Sequence, residues 1–206
     1  MSETSREYWQ NTRRYAKNAE EIKVGEPSYY GRQQFDGEWS GNVVSDKVGA
    51  LLVAAEVPRE WSVLEVGCNC GRNLNLLHGI GYKNIRGVEI SSEAAEYAWA
   101  VYPAIANRIT VSDAQSFLAV CPPNSYDVIF TQSVLMHVPP EEDYLFAQMA
   151  RVARKIILTC EIEMNQISCL ARHKFARNYK DVFEALGWKQ LLEAEDDRRI
   201  LRIFKK

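Results

Sequence analysis

Val63-Leu64-Glu65-Val66-Gly67-Cys68-Asn69-Cys70-Gly71 is the stretch on which the fold turns. Residues 62–66 read as a short apolar strand, Gly67 permits a tight turn, and residues 72–78 have helical spacing. A strand that stops on a glycine turn and continues into a helix is the opening unit of an α/β sheet. Read outward, the alternation continues. Residues 85–90 read as a second strand, and Ser91 or Ser92 caps a helix over 93–101. Residues 109–111 and 126–131 give a third and a fourth strand, 141–151 a helix and 155–160 a fifth strand. A helix over 179–186 stops at Gly187. Two closing runs, 188–192 and 199–204, flank a charged turn at 195–197 and predict an antiparallel hairpin at the sheet edge. The expected fold is therefore α/β, a doubly wound, mostly parallel Rossmann-like sheet with an antiparallel C-terminal hairpin.

Upstream, residues 4–21 suit a helix, 28–41 with three glycines read as a loop, and 43–56 as a further helix. That division predicts an N-terminal helical and loop cap over 1–41 and one α/β domain over 42–206. The 206 residues are 47% hydrophobic and 25% charged, the profile of a globular chain able to bury an ordinary core. No stretch approaches the roughly 18 apolar residues of a membrane helix. A formal net charge of -2 argues against a protein built to hold nucleic acid phosphates. The polar start shows no signal peptide pattern, and Cys68, Cys70, Cys121, Cys160 and Cys169 form neither a paired framework nor a zinc pattern. A reducing, cytoplasmic setting without a metal is expected.

Ligands on such sheets bind beyond the carboxyl ends of the strands. Three acids stand there. Glu65 precedes the glycine turn, where it would repel a pyrophosphate and welcome a positive centre. Glu89 ends the second strand and suits a pair of ribose hydroxyls. Asp113, followed by Ala114, suits an adenine amino group. A fold in which the glycines only make a turn is the bland alternative, and three acids at three successive strand ends weigh against it.

The ensemble resembles the class I S-adenosylmethionine-dependent methyltransferases. Residues 63–71 are similar to their first motif, Gly87-Val88-Glu89-Ile90 to their ribose-binding strand end, and Ser112-Asp113-Ala114 to their adenine-binding turn. Residues 126–138 resemble their fourth strand and the segment after it, and the likeness spans about 60–161. The family's middle glycine is Asn69 here. The wording of the loop is further similar to methylases of pseudaminic acid and other sugar biosynthesis. The resemblance implies S-adenosylmethionine as cofactor, S-adenosylhomocysteine as product and no metal. It implies that Glu65 and the backbone of Gly67, Cys68, Asn69 and Gly71 hold the methionine part. Glu89 would bind the ribose and Ile90 would pack on the adenine. Asp113 and Ala114 would read the adenine edge, with Thr131 or Gln132 at the amino acid end.

For the acceptor, residues 131–134 lack the Asn/Asp-Pro-Pro-aromatic run and the Pro-Cys nucleophile that mark relatives acting on nucleic acid bases. His137 is the candidate general base, because imidazole titrates near neutral pH; a structural histidine in the loop is the competing reading. A basic stretch with Arg172, His173, Arg177 and Tyr179, and an N-terminal lid with Tyr29, Tyr30 and Arg32, are the candidate substrate contacts. Together they suggest a small anionic acceptor (a sugar, nucleotide-sugar or carboxylate), with O-methylation favoured over N-methylation. The alternatives are a protein or peptide methyltransferase and a non-catalytic S-adenosylmethionine-binding protein. No nucleic acid or membrane partner is expected, and the N-terminal aromatics could equally make a homodimer contact.

Overall fold

The computed structural model describes residues 5–10, 43–163, 174–175, 177–196 and 199–206. A short helix, α1 (Ser5–Gln10), is followed by α2 (Val43–Ala54), then β1 (Val63–Val66), α3 (Arg72–Gly79), β2 (Ile85–Glu89) and α4 (Ser92–Val101). Next come β3 (Ile109–Val111), α5 (Ala114–Val120), β4 (Tyr126–Gln132), α6 (Tyr144–Val152) and β5 (Ala153–Glu161). The chain closes with α7 (Tyr179–Ala185), β6 (Lys189–Asp196) and β7 (Arg199–Lys205).

The strands form one seven-stranded sheet in the order β3-β2-β1-β4-β5-β7-β6. The pairs from β3 across to β5 are parallel, and β7 runs antiparallel to both β5 and β6. The expected mixed sheet with an antiparallel closing hairpin is what forms. β1 is buried at all four positions because helices cover both faces, which is why its sequence is apolar apart from Glu65. Val63, Val128, Phe130, Ile156, Leu158 and Ile203 pack under α2, α3 and α4 on one face. Leu64, Val66, Ile129, Ile157 and Phe204 pack under α6 and α7 on the other.

Three boundaries differ from expectation. The last hairpin is longer, since Glu195 and Asp196 belong to β6 and pair with Ile200 and Arg199; the exposed Glu195 fits because an edge strand tolerates a charge. The helix expected over 141–151 begins one turn late, as Pro140–Glu142 forms a 3-10 turn before α6. The helix α5 had no apolar stripe strong enough to announce it, and its N-cap is Asp113. Of the helix expected over 4–21, Ser5–Gln10 is helical and the remainder lies outside the described residues, as does the loop over 28–41.

β1 has β2 on one side and β4 on the other, so the winding reverses there and leaves a crevice at the carboxyl ends of these strands. At the opposite, amino end, Asp127 braces the sheet. Its Oδ2 accepts from the Ser62 N–H at 3.0 Å and the Ser62 hydroxyl at 2.9 Å, and its Oδ1 pairs with Arg154 at 3.0 Å. Glu65, Glu89 and Glu161 at the carboxyl end have no ion pair of this kind among the described residues.

Candidate active site at the carboxyl end of the sheet

The glycine loop is held by its own backbone. The N–H groups of Gly67 and Cys68 both donate to the Val88 carbonyl, at 2.9 and 3.0 Å, and that of Gly71 to the Cys68 carbonyl at 2.9 Å. The Asn69 N–H donates to Glu89 Oε2 at 2.8 Å. Asn69 replaces the glycine of the resemblance without strain of the usual kind: its φ is 50°, a left-handed value that Asn tolerates, and its Oδ1 accepts the Cys70 N–H at 2.7 Å. Gly67, at φ 72°, is needed for a second reason, because a Cβ there would stand 2.5 Å from Val134 Cγ2. The loop after β4 therefore rests directly on the turn. Gly71 meets the Ile105 and Ile109 side chains instead, so its smallness serves helix packing and not the approach of a ligand.

Cys68 and Cys70 point into the core. Burial pushes the Cys68 thiol well above its ordinary range and that of Cys70 to about 11, so both stay protonated and take no part in nucleophilic chemistry. Cys68 enters the site by its backbone alone.

Glu65 is 2% exposed, and its Oε1 accepts from Asn73 Nδ2 at 2.6 Å. The same Nδ2 donates to Gln132 Oε1 at 3.0 Å, joining β1, α3 and β4 in one chain. Glu65 Oε2 and Asn73 Oδ1 are buried acceptors with no hydrogen-bond partner among the described residues. Burial pushes the Glu65 carboxyl up to about 8, with the Glu89 charge adding to it and Asn73 and Arg72 opposing. Two orphaned acceptors in one buried spot are costly unless a donor completes them, and an ammonium is the kind of group that fits.

Glu89 is also raised by burial, with the N–H groups of Ser91 and Asn69 opposing. Its Oε1 accepts from Ser91 at 2.9 Å, and the Ile90 N–H also holds the carboxylate. Ile90 is half-buried at the strand end. Asp113 caps α5 by accepting from the Ser116 N–H at 2.9 Å, and Arg6 of α1 lies 3.9 Å away. Burial pushes Asp113 up, but the bonds from Ser116 and the charge of Arg6 outweigh it and hold the carboxyl below its usual range. Ala114 is the first residue of α5.

Thr131 and Gln132 part company, as neighbours on a strand must. Gln132 faces Asn73 and Glu65. Thr131 faces the other layer, paired in register with Thr159 and buried beside Glu161. Glu161 was not singled out from the sequence, although the rule that found Glu65, Glu89 and Asp113, an acid ending a strand, points to it equally. Its Oε1 accepts from the Val134 N–H at 3.1 Å, which ties the end of β5 to the loop after β4. Glu161 Oε2, the Thr131 and Thr159 hydroxyls and the Tyr179 hydroxyl have no hydrogen-bond partner among the described residues. Burial pushes Glu161 to about 7. Asn73 was missed too; its signal is a polar residue one position into the buried face of the helix that follows the glycine turn.

His137 lies half-buried at the end of the 3-10 turn Leu135–His137. Arg177 is committed within the chain: it donates to the Val138 and Phe175 carbonyls at 2.8 and 2.7 Å and pairs with Asp143. Tyr179 is wholly buried under α6, edge-on to Phe146. These two expected substrate contacts act instead as packing that fastens the start of α7 to the loop after β4. Tyr29, Tyr30, Arg32, Arg172 and His173 lie outside the described residues.

Residues 64–156 match the family model for a methyltransferase domain, Methyltransf_11. The match covers 93 of the 206 residues. Among solved structures, the magnesium protoporphyrin IX methyltransferase of Synechocystis PCC 6803 with bound SAM is 19% identical, covers 97% of this chain and 93% of its own, and superposes with a TM-score of 0.65. An S-adenosylmethionine-dependent methyltransferase of Archaeoglobus fulgidus is 15% identical over 79% of this chain and 94% of its own, at 0.60. A sarcosine dimethylglycine methyltransferase of Galdieria sulphuraria, so described on trial, is 16% identical over 79% and 84%, at 0.61. No curated protein matches. The chain thus has the class I methyltransferase architecture, and the family match supports an enzyme. No helix among its described residues is long and apolar enough to cross a membrane.

Proposed function

We propose that this methyltransferase transfers a methyl group from S-adenosylmethionine to a small anionic acceptor, a sugar, nucleotide-sugar or carboxylate, at an oxygen. The observation that carries the cofactor placement is the pair of unpartnered buried acceptors, Glu65 Oε2 and Asn73 Oδ1, at the end of β1. In this reading they receive the ammonium of the cofactor's amino acid end, beside Gln132. Glu89 takes the ribose hydroxyls, Ile90 packs on the adenine, and the turn at Asp113 and Ala114 meets the adenine edge. When bound, S-adenosylmethionine supplies a methyl already activated on a sulfonium. The chain's share is then to align the acceptor with it and exclude water.

The closed hydrogen bonding of residues 67–71 keeps the loop rigid for that purpose. Glu161 fixes the loop after β4, which carries His137, the candidate to take the acceptor's proton. Arg6 reaches from α1 to Asp113 and, at 3.0 Å, to Glu142, which supports residues 1–41 as a cap on the adenine side. The similarity of the glycine loop to sugar-biosynthesis methylases favours a sugar as acceptor.

Calorimetric titration with S-adenosylmethionine, repeated on Glu89→Ala and Asn73→Leu, tests the placement. Saturable binding that both variants weaken at least about tenfold supports it. Folded variants that bind as tightly as the parent would place the cofactor elsewhere.

A further inference from the structure

One of the basic residues expected to hold the acceptor's anion, Arg177, is tied up, but another cation stands at the right end of the sheet. Arg199 opens β7, next to the end of β5, where Ile200 pairs with Glu161. Its Nε donates to the Ser133 hydroxyl at 2.7 Å. Ser133 has a φ of 56°, a left-handed value that a serine adopts only when its surroundings impose it, and its N–H donates to the Cys160 carbonyl at 2.9 Å. The next residue before it is Gln132, bonded through Asn73 to Glu65. One continuous run thus leads from the acid that suits a cationic ligand to a half-buried guanidinium.

Two other arginines near this end of the closing hairpin are neutralised. Arg202 is enclosed by Glu163 at 2.7 Å and by Glu193, and Arg177 by Asp143. Arg199 has no carboxylate within ion-pair distance among the described side chains, and one nitrogen alone is accounted for. Its two Nη groups form the edge that accepts a carboxylate or phosphate by two parallel bonds.

We propose that Arg199 is the specificity-determining residue that binds the anionic group of the methyl acceptor, held in its bearing by Ser133. The proposal rests on the donor reading above, since it places the acceptor across the loop after β4 from Glu65. The hydrogen bond through Nε leaves the two Nη groups to form the fork, and Ser133, with its left-handed φ, fixes where the fork sits. A lysine could reach the same place but would offer a point charge in place of the fork.

The test is calorimetric titration of the full chain, saturated with S-adenosylhomocysteine, with inorganic phosphate in one series and acetate in another. Arg199→Ala should weaken binding of the preferred anion at least about tenfold, and Arg199→Lys by an intermediate factor, while the affinity for S-adenosylhomocysteine changes less than about twofold. Whichever of phosphate or acetate binds more tightly identifies the acceptor's group. Anion binding indifferent to Arg199, or no anion binding by the parent chain, overturns the proposal. So does a large loss of S-adenosylhomocysteine affinity in both variants, which would assign Arg199 to the cofactor's own carboxylate. If the parent chain fails to bind S-adenosylhomocysteine, the donor reading alone fails, and the phosphate and acetate series without it still report on Arg199. Should Arg199→Ala not fold, Arg199→Lys carries the comparison.

Discussion

Replacing Glu65 by Gln keeps the shape of the side chain and its bond to Asn73 while removing a proton-binding site. Burial holds the Glu65 carboxyl at about 8 against an ordinary 4.5. The folded state therefore keeps a proton that the unfolded chain has lost at neutral pH. Because the folded value lies above the unfolded one, this group's contribution to stability is full below about 4.5 and disappears as the pH rises to about 8. Between about pH 5.5 and about pH 7.5 folding takes up nearly one proton at this site, which costs about 1.4 kcal/mol per pH unit, or about 2.5 kcal/mol across the window. Glu161, raised to about 7, adds a smaller loss in the same direction. Urea unfolding of the parent and Glu65→Gln at both pH values measures the difference. The parent should lose about 2.5 kcal/mol more than the variant, with the urea slope unchanged. Equal losses in the two proteins would mean that Glu65 is ionised in the fold, and the account of its burial would be refuted. A cationic ligand seated on Oε2 should reverse the shift, so binding of S-adenosylmethionine should release a proton. Titration in two buffers of different ionisation heat reads that release.

Gly67→Ala should destabilise by about 2–4 kcal/mol, since it adds a left-handed penalty to a contact with Val134, and thermal unfolding would show it as a lowered Tm. Arg202→Ala removes the guanidinium that pairs with Glu163, 2% exposed, and should cost about 3–5 kcal/mol, whereas replacing both residues by apolar ones should restore much of that, as urea titration of the three variants would show. Brief alkylation followed by peptide mass spectrometry should leave Cys68 and Cys70 unmodified at about pH 8 and modify them once urea unfolds the chain. A Cys68 that reacts in the native protein would contradict its burial against Gly87.

The sheet was legible because its signal is local. Apolar runs such as residues 62–66 and 126–131 end at glycines or acids, and a strand covered on both faces has to be apolar. What was not legible depends on which way a side chain turns. Thr131 and Gln132 were interchangeable as candidates, yet the alternation of a strand sends them to opposite layers, and only the register with Thr159 and the bond to Asn73 says which. Arg177 sat in a basic stretch and invited an anion. In the fold Asp143 and two carbonyls, nearly forty residues away in sequence for Val138, claim its donors first. Sequence charge counts cations; it does not show which are already paired.

That distinction also sets the electrostatic character of the crevice. At the amino end Asp127 is ionised and bonded to Ser62 and Arg154, which outweigh its burial and hold its carboxyl below the usual range. At the carboxyl end Glu65 and Glu161 are both raised, and each has one oxygen without a hydrogen-bond partner among the described residues. The same kind of side chain is thus satisfied where it only braces the sheet and left incomplete where the winding reverses. Incomplete buried acids reduce the stability of the isolated chain, so a fold that keeps two of them at its crevice gains most from a ligand that brings the missing donors. The gain is greatest for a cationic ligand at Glu65, whose protonated carboxyl would ionise on contact, with no charged residue of the chain having to move.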